Sequence, residues 1–220
     1  MAPVQTVPKT RDTKERILDA AERRFSLHGF AGTSLRAITR EAQVNLAAVN
    51  YHFGSKEALV EAVFTRRLKP LNRERLDQLS AARKAGGDNG PSLESIVEAF
   101  VGPVLRNSRD PDRGGMAFMR LLGHAMNQPQ ASILLMLAEQ FRDLAESFAR
   151  ALHEALPELP REEVLWRVIF MAGSMAHTMC LSEDIDQLTD GQCRGDDADE
   201  VIARLVPFLA SALRAPAEVG

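Results

Sequence analysis

The stretch Asn45-Leu46-Ala47-Ala48-Val49-Asn50-Tyr51-His52-Phe53 carries the residue types that read a DNA groove. A helix that enters a major groove about 12 Å wide must keep bulk off its outer face. It also needs amides to meet base edges and polar groups at its ends to hold phosphates. Here Asn45 and Asn50 can bond base edges, Leu46 and Ala47 can touch thymine methyls, and Ala48, Val49 and Phe53 can anchor the helix from behind. Tyr51, His52 and Lys56 follow at the far end, suited to the sugar-phosphate backbone. Taken singly, each residue also has a plainer reading: Asn45 as a helix cap, His52 as a polar surface group, Tyr51 as half-buried packing.

No catalytic constellation competes with this one. Ser174 with His177, and Glu162 with Glu163, each lie within a single helix and lack a converging base or oxyanion partner. Gly86-Gly87 precedes neither Lys-Ser nor Lys-Thr, so it is not a phosphate loop. Cys180 and Cys193 form no Cys-x-x-Cys and have no matching His pair, which reads as two reduced thiols rather than a disulfide or metal site. The expectation is no enzyme, no cofactor and no metal.

Charge supports a polyanion partner at one end only. The net charge of −3 divides into +6 over residues 1–75 and −9 over residues 76–220. The chain has 220 residues, 45% of them apolar and only 5% aromatic, with few β-branched runs, which favours helix and makes an all-α fold the expectation. The first dozen residues hold two prolines and do not read as a secretory signal, and Val168–Leu181 is too short an apolar run to span a bilayer. A cytoplasmic protein without membrane contact is predicted.

Several elements must position the reading residues. Asp12, with Glu15 three residues on, opens a first helix that Gly29 ends. Thr33 and Ser34 offer the cap of a short second helix, Asn45 caps the third, and Gly54 stops it before Ser55 caps a long fourth running towards Lys84. Three short helices and a long one, with a tight turn between the second and third, make a helix-turn-helix arrangement. Further helices are predicted at about 92–107, 113–126, 130–156, 161–182 and 198–214, with residues 183–197 as a loop. The helix at 164–181 is apolar almost all round and should be buried on more than one side.

The blocks Arg-Ile-Leu-Asp-Ala-Ala at 16–21, Phe25, Gly29-Phe30, Thr-Ser-Leu-Arg-Ala-Ile at 33–38 and Tyr-His-Phe-Gly-Ser-Lys-Glu-Ala-Leu at 51–59 resemble the TetR family of transcriptional regulators. The resemblance implies an N-terminal three-helix DNA-binding domain, 1–56 with an arm at 1–11, and a C-terminal helical domain for ligand binding and dimerisation, 57–214, followed by a tail at 215–220. It also implies that Thr33 or Ser34 contacts a phosphate, that Tyr51, His52 and Lys56 hold the backbone, and that Asn45, Leu46, Ala47 and Asn50 meet bases of a palindromic double-stranded operator.

Phe118-Met119-Arg120-Leu121-Leu122-Gly123, Trp166-Arg167-Val168 with Phe170-Met171, and Val206-Pro207-Phe208 resemble the PsrA-type branch of fatty-acid-responsive repressors. Seven of the eight methionines fall between 116 and 179, and flexible thioethers suit a pocket for a bending chain, although methionine also serves as core filler. The expected effector is a small apolar molecule, a fatty acid or its acyl-CoA, contacted by Met116, Met119, Arg120, His124, Phe141, Trp166, Phe170, Ser174 and His177. Arg120 and His124, at i and i+4, are candidate partners for a carboxylate. The alternative is a regulator of efflux or stress genes with another hydrophobic effector. The helices at 161–182 and 198–214 are expected to build a homodimer interface.

Overall fold

Four polar side chains punctuate the N-terminal part of the chain. In the computed structural model, which describes residues 12–110, 113–127, 131–181 and 184–217, Asp12 caps α1 (Thr13–His28), Ser34 caps α2 (Leu35–Ala42) and Asn45 caps α3 (Leu46–Phe53). Ser55 accepts from the Ala58 amide at 3.1 Å and opens α4 (Lys56–Gly86). Each cap satisfies an amide that a helix start leaves without a partner. Gly29 ends α1 at φ 67° and ψ 177°, a conformation that only glycine adopts without strain. The expected arm at 1–11 and the last three residues of the expected tail lie outside the described residues.

Ile17, Leu18, Phe25, Phe30, Ile38 and Val49 fill the space between the three short helices. Leu59, Val60, Val63 and Phe64 of α4 are buried as well, and Phe64 meets the Phe30 ring at 5.9 Å between centroids. These apolar residues need cover, so the first compact unit extends to Phe64 rather than ending after Lys56.

The second compact unit begins at Thr65. It comprises the rest of α4, then α5 (Leu93–Ser108), α6 (Gly115–Asn127), α7 (Ala131–Ala155), α8 (Arg161–Leu181), the four-residue α9 (Ile185–Leu188) and α10 (Ala198–Leu213). α9 falls inside the segment expected to be loop. Among the described residues there is no strand, in agreement with the all-α expectation.

Within the single chain α8 is buried along one side. Val164, Val168, Met171, Met175 and Met179 face the core, but Leu165, Trp166, Ile169 and Phe170 are exposed, the last two by 57% and 62%. By length and composition α8 could cross a bilayer. Its buried Arg167 argues for a protein core instead: it donates to the carbonyls of Leu213 and Ala215 and to Glu163 Oε1. A guanidinium tied to the end of α10 satisfies carbonyls that the helix leaves open.

Candidate functional site

In the first unit the outer face of α3 is free of bulk. Asn45, Leu46, Ala47, Asn50 and Tyr51 are exposed, Tyr51 by 85%, while Val49 is fully buried and Ala48, His52 and Phe53 are half-buried. The two asparagines differ in what remains available. Asn45 Oδ1 accepts from the Ala48 amide at 2.8 Å, so only its amide nitrogen is left to donate. The exposed Asn50 can offer both groups, as a bidentate contact to adenine requires. Tyr51 packs edge-on against His52 at 5.1 Å between centroids.

Of the pair at the start of α2, Ser34 is the one at the surface. Thr33 is buried, and its hydroxyl donates inward to the carbonyls of Gly29 (2.8 Å) and Arg24 (3.1 Å). The expectation for this pair is therefore corrected to Ser34, beside the positive end of the α2 dipole. Lys56 Nζ donates to the Phe30 carbonyl, which ties the start of α4 to the end of the α1 turn and leaves two further N–H donors on the ammonium.

Three arginines that sequence reasoning did not single out hold this head together. Arg16 Nη2 donates to the carbonyls of Ala42 (2.6 Å) and Gln43 (2.9 Å), fixing the turn between α2 and α3. That turn passes through Gln43 at φ 52°, a left-handed conformation in a non-glycine residue. Arg23 and Arg24 donate to the two carboxylate oxygens of Glu41 at 2.8 and 2.5 Å. Burial works against the Glu41 charge, but these two hydrogen bonds outweigh it and hold the carboxyl below its ordinary range.

The second unit encloses an apolar cavity of about 510 Å³ between α4, α5, α6, α7 and α8. Met119 and Phe141 line it, with Leu71, Phe100, Met175 and Met179. The other expected effector residues do not. Met116 borders a separate, more polar cavity of about 950 Å³ beside Arg109 and Arg194. Arg120 is exposed and His124 half-buried, and neither borders the apolar cavity, which corrects their assignment to a carboxylate in it. Trp166, Phe170 and His177 are exposed and Ser174 is half-buried. These four follow one another by four, four and three residues along α8, whereas Val168, Ala172, Met175 and Met179 line the cavity from a different stripe of the same helix.

Among the described residues, one charged side chain reaches the wall of this cavity. Arg75 of α4 lies 2% exposed, with its guanidinium carbon 4.0 Å from the Phe100 ring centroid. Desolvation pushes this guanidinium down to about 9, so it is still protonated at neutral pH. The sequence carried a signal for it. Leu68, Leu71, Arg75 and Leu79 follow helical spacing, which puts a cation in the apolar stripe of α4.

Residues 17–63 match the family described as bacterial regulatory proteins, tetR family, and residues 98–212 match the tetracyclin repressor-like C-terminal domain. The chain belongs to the TetR family. It is similar to TtgW of Pseudomonas putida, an uncharacterised HTH-type transcriptional regulator, with 31% identity over 100 residues, 46% of this chain and 69% of that protein. Other curated matches of 49 to 55 residues cover only 24% to 29% of those proteins. Among solved structures, the fatty acid degradation regulator FadR from Bacillus halodurans superimposes with a TM-score of 0.68 at 15% identity, covering 94% of this chain and all of that one. FadR from Bacillus subtilis in complex with stearoyl-CoA gives 0.63 at 13% identity, covering 90% and 97%. At such identities the likeness speaks for the fold alone. As a TetR-family member the chain is a ligand-responsive DNA-binding transcriptional regulator, and its relatives are named as regulators, not enzymes.

Proposed function

We propose that this TetR-family regulator is a cytoplasmic repressor that binds a palindromic operator as a homodimer and leaves it when a long-chain acyl compound fills the C-terminal cavity. The observation that carries the reading is the apolar cavity of about 510 Å³, a volume within the ~300–1,000 Å³ usual for small-molecule sites. The fold it shares with a FadR solved in complex with stearoyl-CoA supports an acyl occupant. α3 is the reading helix, with Leu46, Ala47 and Asn50 towards bases, Asn45 giving its remaining amide hydrogens, and Ser34, Tyr51, His52 and Lys56 towards the sugar-phosphate backbone.

The dimer is proposed to form through α8 and α10. Leu165, Trp166, Ile169 and Phe170, with Phe208 on α10, leave large apolar side chains without cover in the single chain. An exposed apolar patch of this kind marks a contact surface, and twofold association suits an operator with half-sites one DNA turn apart. Release follows if the ligand favours a form in which the two reading helices no longer match that spacing, since equal affinity for both forms would shift nothing.

The test is selection of bound DNA from a random pool, followed by titration of the selected operator complex with C8 to C18 fatty acids and their coenzyme A esters. A short palindrome should emerge, and at least one acyl compound should weaken its binding. Selection of no common sequence would sink the operator reading, and operator affinity indifferent to every acyl compound would sink the effector reading.

A further inference from the structure

Among the described residues two arginines are buried, and their surroundings differ. Arg167 has Nε on Glu163 and both terminal nitrogens on backbone carbonyls, the pattern of a structural guanidinium. Arg75 has none of this. Its Nε and Nη2 are buried without a hydrogen-bond partner, and the groups packed on it are the rings of Phe100 at 4.0 Å and Phe148 at 5.9 Å. Ring faces compensate part of the charge, but they supply no oxygen or nitrogen acceptor to the N–H donors. A buried cation with open donors is costly to keep unless something anionic meets it.

We propose that Arg75 is the receptor for an anionic headgroup, so that the effector of this cavity is a free carboxylic acid with an apolar tail, entering head first. The inference rests on the reading of the cavity as the effector site. Its geometry sets the direction of entry. Leu134 and Ala138 of α7 line the cavity while remaining exposed, which puts the mouth at α7, and Arg75 of α4 lies buried on the wall beside Phe100. A carboxylate at Arg75 gains charge-assisted, in-plane hydrogen bonds where water is excluded. A coenzyme A ester entering tail first would lay a methyl terminus against the open donors. Entering head first, it would need a polar chamber that an apolar cavity of about 510 Å³ does not provide.

The test is calorimetric titration of the full chain with four probes at each of the C8, C12 and C16 lengths: the free acid, the primary alcohol, the methyl ester and the coenzyme A ester. The acid should bind on the order of tenfold to a hundredfold more tightly than the alcohol or methyl ester of its length, the range expected for hydrogen bonds to a charged group. In Arg75→Met that preference should vanish while alcohol binding persists, and Arg75→Lys should keep part of it. If Arg75→Met does not fold, the series on the unmodified chain decides by itself. Alcohol or methyl ester binding as tightly as the acid, or the coenzyme A ester binding more tightly, overturns the Arg75 assignment and leaves the acyl cavity standing. Binding by none of the probes overturns both readings.

Discussion

Arg16 spans 26 residues of sequence to place its Nη2 2.6 Å from the Ala42 carbonyl oxygen, at the end of α2. The guanidinium meets the negative end of that helix dipole and, through Gln43, the turn that aims α3. Arg16→Met keeps the aliphatic stem and removes the bonds. It should cost ~1–2 kcal/mol of stability, in line with hydrogen bonds from a charged donor at a part-buried site. Operator affinity should fall for all sequences alike, because the aim of α3 changes and not its reading residues. Thermal unfolding together with binding to matched and mismatched operators checks both parts.

Asn45 and Asn50 should separate cleanly by substitution. Asn45→Ala removes the cap on the Ala48 amide and should lower stability by ~1 kcal/mol. Asn50→Ala touches no cap. It should leave unfolding unchanged and cost ~1–3 kcal/mol of operator binding, with preference relaxed at one base pair in each half-site. Loss of stability from Asn50→Ala would place that amide inside the fold and not at the groove.

The Glu41 carboxyl is held below its ordinary range by Arg23 and Arg24. A depressed carboxyl contributes stability that is present above the pKa of the unfolded chain and is lost as pH falls through the folded value. Acid unfolding should therefore steepen below pH ~4.3 in the native chain, the ordinary glutamate value. Glu41→Gln should be less stable at neutral pH and lose less on acidification. Parallel acid-unfolding curves for the two proteins would remove Glu41 from the account.

The exposed side of α8 gives a test of association that leaves the single-chain core intact. Phe170→Glu adds charge at a position 62% exposed in the single chain, so the folded monomer should tolerate it. If α8 forms the proposed interface, the variant should run as a monomer at micromolar concentration where the native chain runs as a dimer. Light scattering distinguishes the two, and operator binding should fall with the dimer because one half-site alone is then held.

Helix starts were readable because Asp12, Ser34, Asn45 and Ser55 act on amides two or three residues away, inside the reach of local sequence. Long-range ties were not. Nothing near Arg16 announces Ala42, and nothing near Arg167 announces Leu213, because those bonds exist only after the helices pack. The outer face of α3 was legible from residue type, whereas the cavity wall was legible only in part. Met119 and Phe141 face it, but α8 is apolar on two sides, so composition could not tell its cavity stripe from its exposed one. Arg75 was visible as a cation out of place in an apolar stripe. Its lack of partners was a matter of packing.

The stacking of Trp166 on Phe170, with centroids 5.8 Å apart and ring planes 25° apart, has a spectroscopic consequence. Trp166 is the sole tryptophan of the chain, and it stands half in solvent on the outside of α8, away from the cavity wall. Its emission colour therefore registers whatever comes to cover that face of the helix, and shifts to the blue as water leaves the indole. A molecule in the cavity does not border the indole, so filling the cavity acts on it only through a change in that cover. Intrinsic fluorescence of this chain is a gauge of association, and an unchanged emission spectrum during ligand titration is as compatible with a filled cavity as with an empty one.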